Sequence, residues 1–293
     1  MKPLPAPDFR AKRLMLEDSD FAVVSGKYQG PTNLIQEDTW NSIVSLPDDV
    51  SIRTSDQFGS QVEQMWEYWG MWGRVVGGVQ ALSSDPTESP TAIAACDASD
   101  EFQAATYCAL VGYYRVAFSC LRNVLEQITI AAQLTISNDA QSFTDWRNGE
   151  DRIRFGWAAD MLPKNPDVAA LERHLKSAMM DSLFDQAPKG LARRFFVELS
   201  KYTHGAAGFT DGDSRQSNGP IFVPKTFLDW YVAALKTHAI ALHELKLAHP
   251  VLDKPPWGLP PLELDEFRRR VVADIPSNDE EILFFNSLAD FWP

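Results

Sequence analysis

The chain has 293 residues, of which 45% are hydrophobic, 11% aromatic and 23% charged. That mixture supplies the apolar mass of a folded core and excludes a disordered chain, a collagen-like repeat and a disulfide-stapled miniature domain. The 40 acidic side chains outnumber the 27 basic ones, for a net charge of −13. Such a surface repels phosphate backbones and argues against broad non-specific nucleic-acid binding, while a local basic pocket stays open.

Residues 1–56 hold Pro3, Pro5, Pro7, Pro31 and Pro47 between short apolar runs such as Phe21–Val24. The expectation is an irregular arm draped over the rest, with a short helix at Thr39–Ser45 and a strand candidate at Ser51–Thr54. The proline-rich start lacks the apolar run of a signal peptide, and no run of about 20 uncharged apolar residues occurs. A cytoplasmic protein with no membrane contact is expected.

From residue 57 the pattern turns helical. Val62, Met65, Trp66, Trp69, Trp72, Val76 and Val79 recur at helical spacing and predict a helix over 57–82. Its tryptophans read as core packing, with a stacking platform as the alternative. Residues 83–95 read as a loop, and Asp97 or Ser99 as the cap of a long helix from about Asp100 to Ile136. At 1.5 Å per residue it would be roughly 55 Å long, and its apolar surface on nearly every side makes it the central helix. Further helices are predicted at about 143–162, 167–184, 188–204, 225–248, 262–273 and 278–290, with a Gly-, Asp- and Ser-rich loop over 205–219. The fold class is mainly α: a helical bundle around a long central helix. The expected domains are the arm, 1–56, and the bundle, 57–293.

The three cysteines, Cys96, Cys108 and Cys120, form no CxxC. Cys108 and Cys120 are placed on one helix, roughly 18 Å apart, too far to bridge. Neither these residues nor His238, His243 and His249 have metal-ligand spacing, so no metal and no cofactor is expected. P-loop, Rossmann and Gly-x-Ser-x-Gly fingerprints are absent. The basic run Arg268–Arg270 reads as a solvated helix face.

Two segments carry candidate chemistry. On the central helix, Arg115, Ser119, Arg122, Glu126, Thr129 and Gln133 are spaced by 4, 3, 4, 3 and 4, which gathers them on one stripe. That stripe faces either solvent or a polar cleft or network within the bundle, with Arg122 and Glu126 paired one turn apart. Farther on, Arg193 to Gly205 places Leu191, Phe195, Leu199 and Tyr202 on one helix face and Arg193, Lys201 and His204 toward the other. His204 falls in the last turn, where the helix dipole favours it; general acid–base work is the alternative.

The segment Arg122-Asn-Val-Leu-Glu126, followed by Leu199-Ser-Lys-Tyr-Thr-His-Gly205, resembles uncharacterised bacterial all-helical families of the HEPN-like kind over roughly residues 100–250. Many such proteins are ribonucleases of toxin and phage-defence systems that carry an Arg-x(4–6)-His motif. Here Arg193 and Arg194 stand 11 and 10 positions before His204, so that motif is missing. The resemblance implies a partner protein or RNA as ligand, with self-association open. It also implies a metal-independent ribonuclease in which His204 is the acid or base, Arg122 or Arg193 stabilises phosphate charge, and Glu126 orients an arginine. The alternative is a non-enzymatic helical scaffold whose stripe is structural.

Overall fold

The computed structural model describes residues 39, 41–177, 182–185, 190–203 and 220–252. His204, the loop expected at 205–219, the helices expected at 262–273 and 278–290, and Arg268–Arg270 lie outside them, as does nearly all of the chain before residue 41.

Among the described residues there are eight α-helices and no strand, so the fold is mainly α. A π-helical turn at Asn41–Ser45 leads into α1 (Leu46–Leu82). The strand candidate Ser51–Thr54 is helical, and α1 begins 11 residues before the expected boundary. Pro47 has a φ already set for the first turn, and Asp48 and Asp49 complement the helix dipole there; together they outweigh the β-branched Ile52 and Thr54. A kink at Phe58 (φ −131°, ψ 27°) divides α1, and the Phe58 ring turns inward to stack on Phe227 at 4.8 Å.

The next helix, α2 (Pro90–Leu110), starts inside the expected loop. Ser89, not Asp97 or Ser99, is its cap, and the Ser89 hydroxyl accepts the Ala92 amide. Trp72 and Trp69 of α1 donate their indole N–H groups to the Ala95 and Ser99 carbonyls, at 2.9 and 3.2 Å. The tryptophan cluster therefore ties α1 to α2, with Trp66 alone largely exposed.

The expected 37-residue helix is a hairpin. Leu110 ends α2 and Tyr114 begins α3 (Tyr114–Ile136). Between them Gly112 takes φ +81°, its amide donates to Ala109 O, and the Tyr113 amide donates to Cys108 O at 2.7 Å. This pair of bonds is the Schellman closure that a left-handed residue permits. Asn138, at φ +55°, ends α3 by the same pair of bonds. Cys108 and Cys120 consequently sit on facing helices, not on one. All three cysteines are free thiols, and burial pushes Cys108 and Cys120 above the ordinary thiol range.

The helix α3 is the hub. Its apolar sides pack on α2, on α8 (Pro224–Ala248) and on α7 (Leu191–Thr203), and the short α5 (Phe155–Met161) closes the remaining side. Leu121, Val124, Leu125, Ile128 and Ile130 of α3 are all completely buried. The helix expected at 143–162 is two, α4 (Ala140–Arg147) and α5, because Gly149 turns the chain at φ +78°. A short 3₁₀ turn at Leu162–Lys164 leads to α6 (Pro166–Ser177). No helix among the described residues is long and apolar enough to cross a membrane.

Candidate functional site: an arginine cleft

The α3 stripe meets α7 at its N-terminal end and α8 at its C-terminal end. Arg115 Nε donates to the Tyr202 carbonyl at 2.9 Å, and Arg122 Nε donates to Ser200 Oγ at 3.0 Å. The two segments singled out in the sequence therefore pack directly on each other. Arg122 Nη1 reaches Glu126 Oε2 at 2.8 Å, with the two side chains 16% and 26% exposed. The guanidinium lies 4.5 Å over the Phe196 ring, whose other partner is Phe155, stacked at 3.9 Å. A carboxylate, a hydroxyl and an aromatic face thus fix the fork in one orientation. Its Nη2 has no hydrogen-bond partner among the described residues.

Ser200 donates its own proton to the Phe196 carbonyl at 2.7 Å. It positions Arg122 and has no spare proton to lose as a nucleophile. Ser119 likewise turns back to its own helix, onto Arg115 O. His204 follows Ser200 by four positions in the sequence and lies outside the described residues.

Arg122, Glu126 and Phe196 line a cleft of about 730 Å³. Its remaining wall comes from the turn after α4 and the start of α5, including Arg152, Arg154, Trp157 and Asp160. Its size falls within the roughly 300–1,000 Å³ of small-ligand sites. Sequence reasoning missed this wall because residues 150–154 were placed inside a helix; the Asn148-Gly149 pair was the turn signal.

Arg193 has a different place from the one expected. It ion-pairs with Asp160, and its Nε donates to the Phe184 carbonyl at 2.7 Å. These bonds tie the start of α7 to α5 and to the 182–185 segment. Arg193 therefore braces the cleft through Asp160 and is not brought to the Arg122–Ser200 contact.

The C-terminal half of the stripe is sealed. Thr129, fully buried, donates to both oxygens of Glu244 at 2.9 Å. Glu244 is itself fully buried, and burial pushes its carboxyl up to about 8. Gln133 is buried one turn on, with its carbonyl oxygen unbonded. On α8, burial holds His238 down to about 3, with its ring stacked on Phe102 at 3.6 Å. Glu172 of α6, raised by burial, accepts the Leu183 and Phe184 amides. The stripe is thus part cleft and part buried network. No group of three or more His, Cys, Asp or Glu is placed to hold a metal among the described residues.

Arg122→Ala should lower stability by about 1–3 kcal/mol, because it strands a half-buried Glu126 and removes the Ser200 bond. That is below the cost of breaking a fully buried pair. Arg122→Lys should recover part of the loss, since it keeps the charge but not the fork. Urea midpoints for the three chains check this order, and a wild-type midpoint for Arg122→Ala would mean the pair contributes nothing.

Comparison of the chain with protein-family models, curated proteins and solved structures finds no match.

Proposed function

We propose that the protein is a HEPN-like helical protein of a bacterial defence or toxin-type system, working in the cytoplasm. In this reading it binds RNA at the Arg122 cleft and cleaves it without a metal. The observation that supports the reading is the held Arg122 fork lining a cleft, with Nη2 unused by any described residue. A guanidinium fixed in this way matches a phosphodiester without further ordering cost. Glu126 orients it, and Arg193 braces the wall through Asp160.

His204 takes the acid–base role. It removes the proton of a ribose 2′-hydroxyl, whose oxygen attacks the adjacent phosphorus. The 5′-oxygen leaves and takes a proton from water, the hydroxide so formed takes the proton held on His204, and a 2′,3′-cyclic phosphate remains. His204→Ala should abolish RNA cleavage and any toxicity to the host, with RNA binding and thermal midpoint unchanged. Full activity in that variant removes the catalytic assignment.

A second reading, a non-enzymatic scaffold, is favoured by one observation: both Arg115 and Arg122 bond α7, so the stripe also stitches helices together. Titration with a single-stranded RNA at low salt separates the two. Saturable binding that is lost in Arg122→Ala, with the fold kept, supports the cleft; no binding by the wild-type chain leaves the scaffold.

A further inference from the structure

The cleft wall that lies after the Arg122 helix in sequence carries guanidiniums that no described side chain pairs. Arg152 and Arg154 lie two apart in the irregular segment before α5, where the Arg154 backbone is extended (φ −123°, ψ 150°). Both line the cleft, and neither side chain has a hydrogen bond or ion pair among the described residues. The carboxylates that share the cleft are each engaged. Glu126 holds Arg122 and Asp160 holds Arg193. Asp139 accepts the Ser142 amide and hydroxyl, and Asp151 accepts the Arg152 amide. Among the described residues, Arg152 and Arg154 are matched in number by Asp139 and Asp151, but both carboxylates are hydrogen-bonded and the two guanidiniums are not, so the side-chain donors left to a ligand are these arginines.

Beside these arginines stands Trp157, 41% exposed although it opens a helix that packs on the core. Its neighbours Ala158 and Ala159 are buried, so the helix is anchored and the indole projects from a fixed base. An exposed indole beside two unpaired guanidiniums in one cleft is the pairing that single-stranded nucleic acids require. The ring offers a face for a base, and the cations meet the backbone next to it.

We infer that Trp157, Arg152 and Arg154 form a nucleotide subsite of the cleft, in which Trp157 stacks an unpaired base and the two arginines hold the adjoining phosphate. The inference rests on the reading that the Arg122 cleft takes RNA, and it specifies the form of RNA: a single strand. A base within a duplex has its faces covered by its neighbours and cannot stack on Trp157.

The test uses the full-length chain and an end-labelled 2′-O-methyl RNA hexamer, which cannot be cleaved, so binding is read apart from activity. Trp157→Ala should weaken binding roughly 5- to 150-fold, the range for losing one base stack, without changing the salt dependence. Trp157→Phe should recover most of it. The Arg152→Ala/Arg154→Ala double variant should weaken binding and lower the slope of log affinity against log salt by about 0.7, one phosphate contact on a single strand. Because these side chains are exposed, thermal midpoints should stay at the wild-type value. A duplex of the same sequence should bind at least tenfold more weakly than the strand. If the hexamer binds in an Arg122-dependent way but is indifferent to Trp157, Arg152 and Arg154, the subsite is overturned and the cleft reading stands. Equal binding of strand and duplex also overturns the subsite. If the wild-type chain binds no hexamer, both fall.

Discussion

Stability should be greatest between about pH 4.5 and 6.5 and should fall on both sides, because α8 buries two ionisable groups in their neutral forms. His238 titrates at about 3 in the folded chain against an ordinary 6.5. Below pH 6.5 the unfolded chain gains a proton that the folded chain refuses, so stability falls as pH drops toward 3. Glu244 titrates at about 8 against an ordinary 4.5. Above pH 4.5 the unfolded chain releases a proton that the folded chain keeps, so stability falls as pH rises toward 8. Each shift corresponds to something on the order of 5 kcal/mol across its window. Between pH 4.5 and 6.5 the two slopes oppose and cancel. The lowered His249 adds to the acid side and the raised Glu172 to the alkaline side.

Glu244→Gln isolates the alkaline limb. The amide keeps the shape and a hydrogen bond to Thr129 but has no proton to lose. It should stabilise the protein by roughly 3–4 kcal/mol at pH 8 and by almost nothing at pH 4.5. Urea unfolding of both chains across pH 4–9 reads the difference directly. Parallel curves for the two would mean that Glu244 is ionised in the fold and that the Thr129 contact is not a sealed one.

The stripe on α3 was legible because a helix buried on most sides cannot scatter polar groups, so the 4-3-4-3-4 spacing had to mark a seam. What lay across from it was not legible. Ser200 and Glu244 are 78 and 115 residues from their partners, and no local pattern encodes such pairings. The split between cleft and core was hidden for the same reason. Arg122 and Thr129 look equivalent on the stripe, and only the helices laid over them leave one partly exposed and the other fully buried. Glu244 carried a signal of its own: it lies one turn after the buried Ile240 and three residues after the buried Ala241, where an unpaired acid is costly. The cleft's second wall failed on a turn. Reading 143–162 as one helix hid Arg152 and Arg154 in it, although Asn148-Gly149 is a strong turn pair.

The hairpin at Gly112 is where sequence pattern and structure part most sharply, and one substitution separates them by sign. In a continuous helix from 100 to 136, Gly112→Ala would stabilise by about 0.5–1 kcal/mol, as alanine does in any helix interior. The structure demands the reverse. Gly112 has φ +81°, and a Cβ there would meet Ile221 O at 2.3 Å, Ile221 N at 2.6 Å and Ile221 C at 2.9 Å. All three are backbone atoms, so no side-chain rotation relieves the contact. The chain at 220–223 would have to lift off the turn. That movement would break the bond from the Val223 amide to Tyr114 Oη, 3.2 Å, and pull Phe222 from Phe58 at the head of α8. Positive φ adds its own cost of about 1 kcal/mol for a residue with a Cβ. The expected loss is about 3–5 kcal/mol, a fall in thermal midpoint on the order of 10 °C. Gly77→Ala is the internal control. Nothing lies within 4 Å of its added Cβ, and it sits inside α1, so it should gain the helical increment of about 0.5–1 kcal/mol. Opposite shifts for the two variants would establish that Ile221 seats on the α2–α3 turn. Equal gains would restore the single long helix and remove the packing of α2 against α3 on which the position of the Arg122 cleft depends.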